Sequence, residues 1–173
     1  MEALGFTQFW GSTPAINVFE GCDHVDPSPD GEEINILMSE TGGDGRHILK
    51  TICDILPMQT ERAQPINIYF HEKNKENLAR IVLFMTLFCE TGISQRERME
   101  IYLDLFANTL IRDKTQEYLE MAARDMIQLV TEDDKCQSVI GDLINFGNLK
   151  YQERDDLEDI FSSYLKVHKF DIE

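Results

Sequence analysis

At 173 residues with a formal net charge of −16, the chain is long enough for one domain with a real core. It is too acidic to suit nucleic acid or an anionic membrane, both of which call for a basic face. The apolar fraction of 42% is ordinary for a globular protein. No apolar run reaches the roughly 18 residues that span a bilayer. Met1-Glu2-Ala3-Leu4-Gly5 lacks the basic flank and apolar stretch of a secretion signal.

Residues 1–33 read as an aromatic arm followed by an acidic loop. Phe6, Phe9, Trp10, Ile16, Val18 and Phe19 surround the turn-forming Gly11-Ser12-Thr13-Pro14, and Pro27, Pro29 and several acids then lead into the first strand. Ile34-Asn35-Ile36-Leu37-Met38 predicts a parallel strand covered on both faces. Glu40-Thr41-Gly42-Gly43-Asp44-Gly45 predicts a tight glycine loop. Beyond it, Ile48, Leu49, Ile52, Cys53, Ile55 and Leu56 predict a helix that Pro57 stops. Ile66 to Glu72 predicts the second strand of a βαβ unit.

Asn74 is placed to start a helix reaching about Glu90, apolar on nearly every side and therefore deeply buried, with Gly92 as a left-handed residue beyond it. Ser94-Gln95-Arg96-Glu97 is a capping box. The helix behind it predicts an inward face of Met99, Tyr102, Leu103, Phe106 and Leu110. Asp113 to about Val130 predicts a further helix facing in through Tyr118, Leu119, Ala122, Met126 and Val130. Val139 to Phe146 is a short apolar segment. The last helix, about Gln152 to Val167, faces in through Leu157, Ile160, Phe161, Tyr164 and Leu165, with an acidic outer face.

The expected fold class is α/β: a partial Rossmann-like βαβ unit over 34–92, followed by a helical segment over 93–173 of the same domain. Two parallel strands do not make an independently stable sheet. The expectation is therefore that this stretch is the front part of a larger domain.

The chemistry is sparse. Cys22, Cys53, Cys89 and Cys136 form no C-x-x-C pair and read as buried free thiols. His24, His47, His71 and His168 have no metal-ligand spacing, and Cys22-Asp23-His24 reads as a polar loop. No serine lies in a G-x-S-x-G setting. Lys50-Thr51 resembles a P-loop tail, but Leu49 stands where that motif needs glycine, which excludes nucleotide hydrolysis there. Arg46 and His47 at the helix start are placed either to meet an anion or to lie exposed.

The glycine loop is the sharpest signal. It resembles the D/E-x-G-x-G-x-G of S-adenosylmethionine-dependent methyltransferases, one residue short. The candidate cofactor-binding residues are Glu40, Gly42, Gly43 and Gly45, with Glu72 at the end of the second strand placed for ribose hydroxyls. No catalytic residue and no metal ligand is assigned.

Five stretches, in order along the chain, resemble the N-terminal region of the axonemal dynein assembly factor 3 family. They are Trp10-Gly11-Ser12-Thr13-Pro14-Ala15, the strand and loop from Ile36 to Thr51 with Asp44-Gly45-Arg46-His47-Ile48-Leu49, Phe70-His71-Glu72-Lys73-Asn74, Phe106-Ala107-Asn108-Thr109-Leu110-Ile111-Arg112, and Leu149-Lys150-Tyr151-Gln152-Glu153-Arg154-Asp155. Ser12, Phe106 and Ala107 depart from the family pattern. The resemblance implies a methyltransferase-like fold without established catalysis and a cytoplasmic role in preassembling dynein arms for motile cilia or flagella. It implies dynein chains and chaperones or co-chaperones as partners, with no cofactor. The alternative is a methyltransferase using S-adenosylmethionine at the glycine loop.

Overall fold

The computed structural model describes residues 11–20, 33–55, 65–131 and 139–166. Two compact units divide the chain, Met1–Leu78 and Ala79–Glu173.

In the first unit, β1 (Ile34–Ser39), α1 (Arg46–Ile55) and β2 (Ile66–His71) form a βαβ element. The strands pair in parallel without offset, Ile34 opposite Ile66 and Ser39 opposite His71. Burial alternates along β1: Met38 is buried and Ile34 and Ile36 half-buried, whereas Asn35, Leu37 and Ser39 are exposed. This corrects the expectation of a strand covered on both faces. The continuous apolar run suggested a doubly covered strand, yet Leu37 is 71% exposed and its partner Tyr69 45% exposed. In α1, Ile48 and Thr51 are the buried positions, one helical turn apart. Cys53 points to solvent and is not a buried thiol. The expected stop at Pro57 lies outside the described residues.

The second unit is helical. α2 (Lys75–Cys89) opens just before the unit boundary, and Ile81, Val82, Leu83, Phe84 and Leu87 are buried as its composition requires. Cys89 is half-buried and its thiol is pushed up by that burial. Gly92 does not take the left-handed conformation expected of it. The positive-φ glycines among the described residues are Gly42 and Gly43, and the Gly92 N–H donates to Glu90 Oε1 instead.

Ser94 caps α3 (Gln95–Ala107), its Oγ accepting from the Glu97 N–H at 3.3 Å. The inward face of α3 is the predicted one only in part: Tyr102 and Phe106 pack on Phe84 as expected. Ile101 and Asp104 are buried, while Met99, Leu103 and the following Leu110 are exposed. Tyr102 meets Phe84 and Phe88 at ring-centroid distances of 5.0 and 5.4 Å. The Arg80 guanidinium lies over the Phe84 ring at 4.8 Å and donates to the Phe106 carbonyl. Buried Asp104 ties α3 to the next helix. It accepts from Thr115 Oγ1 at 2.6 Å, Arg112 Nε at 2.7 Å and Asn108 Nδ2 at 3.0 Å. Burial alone would raise its pKa, but the bonds from Thr115 and Arg112 outweigh burial and hold the carboxyl below its ordinary value.

α4 (Asp113–Thr131) buries Thr115, Tyr118, Ala122, Ala123, Met126, Leu129 and Val130, which includes most of its predicted face. After α5 (Val139–Leu143), α6 (Tyr151–Tyr164) packs along α4 through fully buried Leu157 and Phe161. Its start is fixed by Glu153, whose carboxylate accepts from the Lys150 N–H at 3.0 Å. Asp155, Asp156 and Asp159 lie on its exposed side, as expected of a solvated acidic face. The described residues thus combine a two-stranded parallel sheet with a predominantly helical remainder.

Candidate functional site

The β1–α1 loop is where the candidate residues meet. Gly42 and Gly43 take φ of 68° and 74°, a conformation an L side chain resists, so this turn requires them. Glu40 also has a positive φ, 55°. Its side chain is exposed, with Oε1 3.8 Å from His71 Nδ1. Gly45 is buried and immediately precedes α1, its carbonyl accepting from the Leu49 N–H at 2.9 Å.

Glu72, at the end of β2, is engaged with the loop through one of its two carboxylate oxygens. It is 7% exposed, and its Oε1 accepts from the Thr41 N–H at 2.6 Å and the Thr41 hydroxyl at 2.5 Å. The carboxylate at the end of β2 therefore staples the loop that leaves β1. Its other oxygen, Oε2, is buried without a hydrogen-bond partner.

Asp44 was not among the residues predicted to form the site, and it is the loop's central group. Only 2% of it is exposed. Oδ1 accepts from the Arg46 N–H at 3.1 Å, capping the start of α1, and Oδ2 accepts from the Gly11 N–H at 3.0 Å. An anion belongs at a helix N-terminus. Here the chain supplies its own, and Arg46 balances it with Nε 3.2 Å from Asp44 Oδ2.

The same guanidinium donates to the Gly11 carbonyl at 2.7 Å and to Thr13 Oγ1 at 3.1 Å. The Ile16 N–H donates to His47 Nδ1 at 3.1 Å. The Val18 N–H donates to Thr51 Oγ1 at 3.0 Å, and that hydroxyl in turn donates to the His47 carbonyl at 2.7 Å. Four side chains from the loop and the first turns of α1 thus hold the backbone of residues 11–18 as a strap. Arg46 and His47 are neither exposed ornaments nor a vacant anion site; they are engaged with the chain itself.

What could have revealed this is limited. The spacing of Asp44, Arg46, His47 and Thr51 places them at one end of one helix, but their partners are main-chain groups more than thirty positions earlier. A backbone donor or acceptor leaves no signature in side-chain identity. Among the described residues no cluster of histidine, cysteine, aspartate or glutamate could hold a metal ion. Among them, too, no helix is long and apolar enough to cross a membrane.

A domain of unknown function, DUF4470, matches residues 9–111, which include the strap, the whole βαβ element, α2 and α3. The chain is 38% identical over 160 residues to the Dynein axonemal assembly factor 3 of Xenopus laevis, covering 88% of this chain and 32% of that protein. It is 30% identical to the Bos taurus protein of the same name, covering 91% and 30% respectively. It is 27% identical to the Drosophila melanogaster Dynein axonemal assembly factor 3 homolog, covering 88% and 32%. The chain therefore spans about a third of the length of the curated relatives it matches. No solved structure matches it. The resemblance read from the five motif stretches holds, and by the domain match over residues 9–111 the chain belongs to the DUF4470 family.

Proposed function

We propose that this chain acts as a non-catalytic cytoplasmic assembly factor for axonemal dynein arms, a protein-interaction scaffold used in building motile cilia or flagella. On this reading its partners are axonemal dynein chains and the chaperones or co-chaperones that mature them, and it needs no cofactor. The βαβ element is then a partial Rossmann-like, methyltransferase-like unit that keeps the architecture while its loop serves the fold. The observation that carries this reading is the engagement of Asp44, Arg46, His47 and Glu72 Oε1 with the chain's own backbone and Thr41. The names of the relatives support the assembly role. Affinity capture from the cytosol of ciliated cells, read by mass spectrometry, is expected to enrich dynein heavy or intermediate chains over a strap-deleted control. Equal recovery by both, or recovery of none, contradicts it.

A second reading has one observation in its favour. Glu72 Oε2 is buried and unpartnered beside the left-handed Gly42 and Gly43, where a ribose hydroxyl of S-adenosylmethionine would supply the missing donor. Glu40 and Gly45 complete that candidate set. If this reading holds, the cofactor raises the melting temperature of the chain and Glu72→Gln abolishes the rise. Glutamine can keep the Thr41 bonds, so the loop itself survives the substitution.

A further inference from the structure

Between its two ends the open face of the β1–β2 ribbon carries no carboxylate, on a chain of net charge −16. In register it presents Asn35 beside Asn67, Leu37 beside Tyr69 and Ser39 beside His71. The two asparagines are already paired, Asn67 Nδ2 donating to Asn35 Oδ1 at 3.1 Å, and Ser39 Oγ lies 3.3 Å from His71 Nδ1. What remains unsatisfied is the centre, Leu37 and Tyr69, 71% and 45% exposed. A carboxylate closes each end of this row. Glu33 shares the parity of Leu37 and accepts from Asn67 Nδ2 at 2.8 Å, and Glu40 Oε1 lies beside His71.

Parallel strands ordinarily have helices over both faces. On this face Leu37 and Tyr69 remain exposed. Glu33 and Glu40 are separated by the six residues of β1, seven residue steps or roughly 23 Å at about 3.3 Å per residue. A helix of about 15 residues covers that distance. We propose that this face docks an amphipathic helix of a partner protein, apolar along its middle and basic at both ends. The apolar stripe meets Leu37 and Tyr69, and the basic ends meet Glu33 and Glu40. A second copy of the chain fits the face poorly, because it would bring like-charged rims together on two strongly acidic molecules.

The test uses the full 173-residue chain and a labelled helical peptide of about 15 residues, with lysine at each end and leucines at three- and four-residue spacing between. Its counterpart carries glutamate at both ends. Fluorescence anisotropy is expected to give saturable binding of the lysine-ended peptide and markedly weaker binding of the glutamate-ended one. Leu37→Glu should weaken the former by about tenfold or more, as substitution at the centre of an interface does. Glu33→Lys combined with Glu40→Lys, two exposed changes that do not depend on the folding of the first variant, should reverse the preference between the peptides. No saturable binding, equal binding of both peptides, or binding indifferent to both variants overturns the proposal. So does sedimentation showing a dimer that Leu37→Glu dissociates, which would make a second copy the occupant.

Discussion

Single residues show how the fold consumes groups that look functional. Gly43 is held at φ 74°, so Gly43→Ala should destabilise the chain by about 1–2 kcal/mol, read as a lowered urea midpoint at unchanged slope. Gly11 is tied to the strap differently: a Cβ there would collide with the Arg46 guanidinium. Gly11→Ala should therefore loosen the strap and expose it to limited proteolysis while leaving the α4–α6 pairing intact. Asp104 carries the clearest pH dependence. Its folded pKa is lowered, so its contribution to stability is fully present above the unfolded value of about 4. That contribution is lost as pH falls through the lower folded value. Asp104→Asn should flatten the acid limb of the stability–pH curve. At neutral pH it should cost about 2 kcal/mol, because the bonds from Thr115 and Arg112 lose their charged acceptor. An acid limb unchanged in the variant would show that Asp104 is not responsible for it.

Elements were legible to very different degrees. The βαβ order, the cap at Ser94 and the inward face of α4 all followed from local pattern, because each rests on spacing within one segment. The phase of α3 followed only in part, with Tyr102 and Phe106 inward but Met99 and Leu103 exposed. Met99, Ile101, Tyr102, Leu103, Leu105 and Phe106 cover most of its circumference, so apolar periodicity has no single answer there. The buried side is decided by Asp104, whose partners Arg112 and Thr115 come from beyond the helix. The resulting prediction separates the two phases. Ile101→Ala should cost about 2–4 kcal/mol, whereas Met99→Gln and Leu103→Gln should stay within about 0.5 kcal/mol. The strap was equally hidden, since it binds through main-chain groups. Thr51→Val, which removes the acceptor of the Val18 N–H, should cost about 1 kcal/mol.

At the scale of the whole molecule, the glycine loop suggested a ligand because strand, glycines and helix N-terminus are the parts from which nucleotide sites are built. The sequence could not show that the anion at that helix is Asp44 and that the acid at the end of β2 serves Thr41. The ribbon of β1 and β2 has one open face, and two-stranded sheets are marginal by themselves. The isolated chain should accordingly unfold in a broad transition when followed by near-ultraviolet circular dichroism, and a sharp melt would argue against that. The central claim, that the loop fastens the chain and does not grip a ligand, is tested most directly by amide hydrogen exchange with and without S-adenosylmethionine. The Gly11, Ile16, Val18 and Thr41 N–H groups, each donated to a side chain of the loop, α1 or Glu72, should be protected well above the exposed Ser12, and the cofactor should leave them unchanged. Exchange of these four at the rate of exposed amides, or protection that appears at Thr41 only when the cofactor is added, would contradict the account.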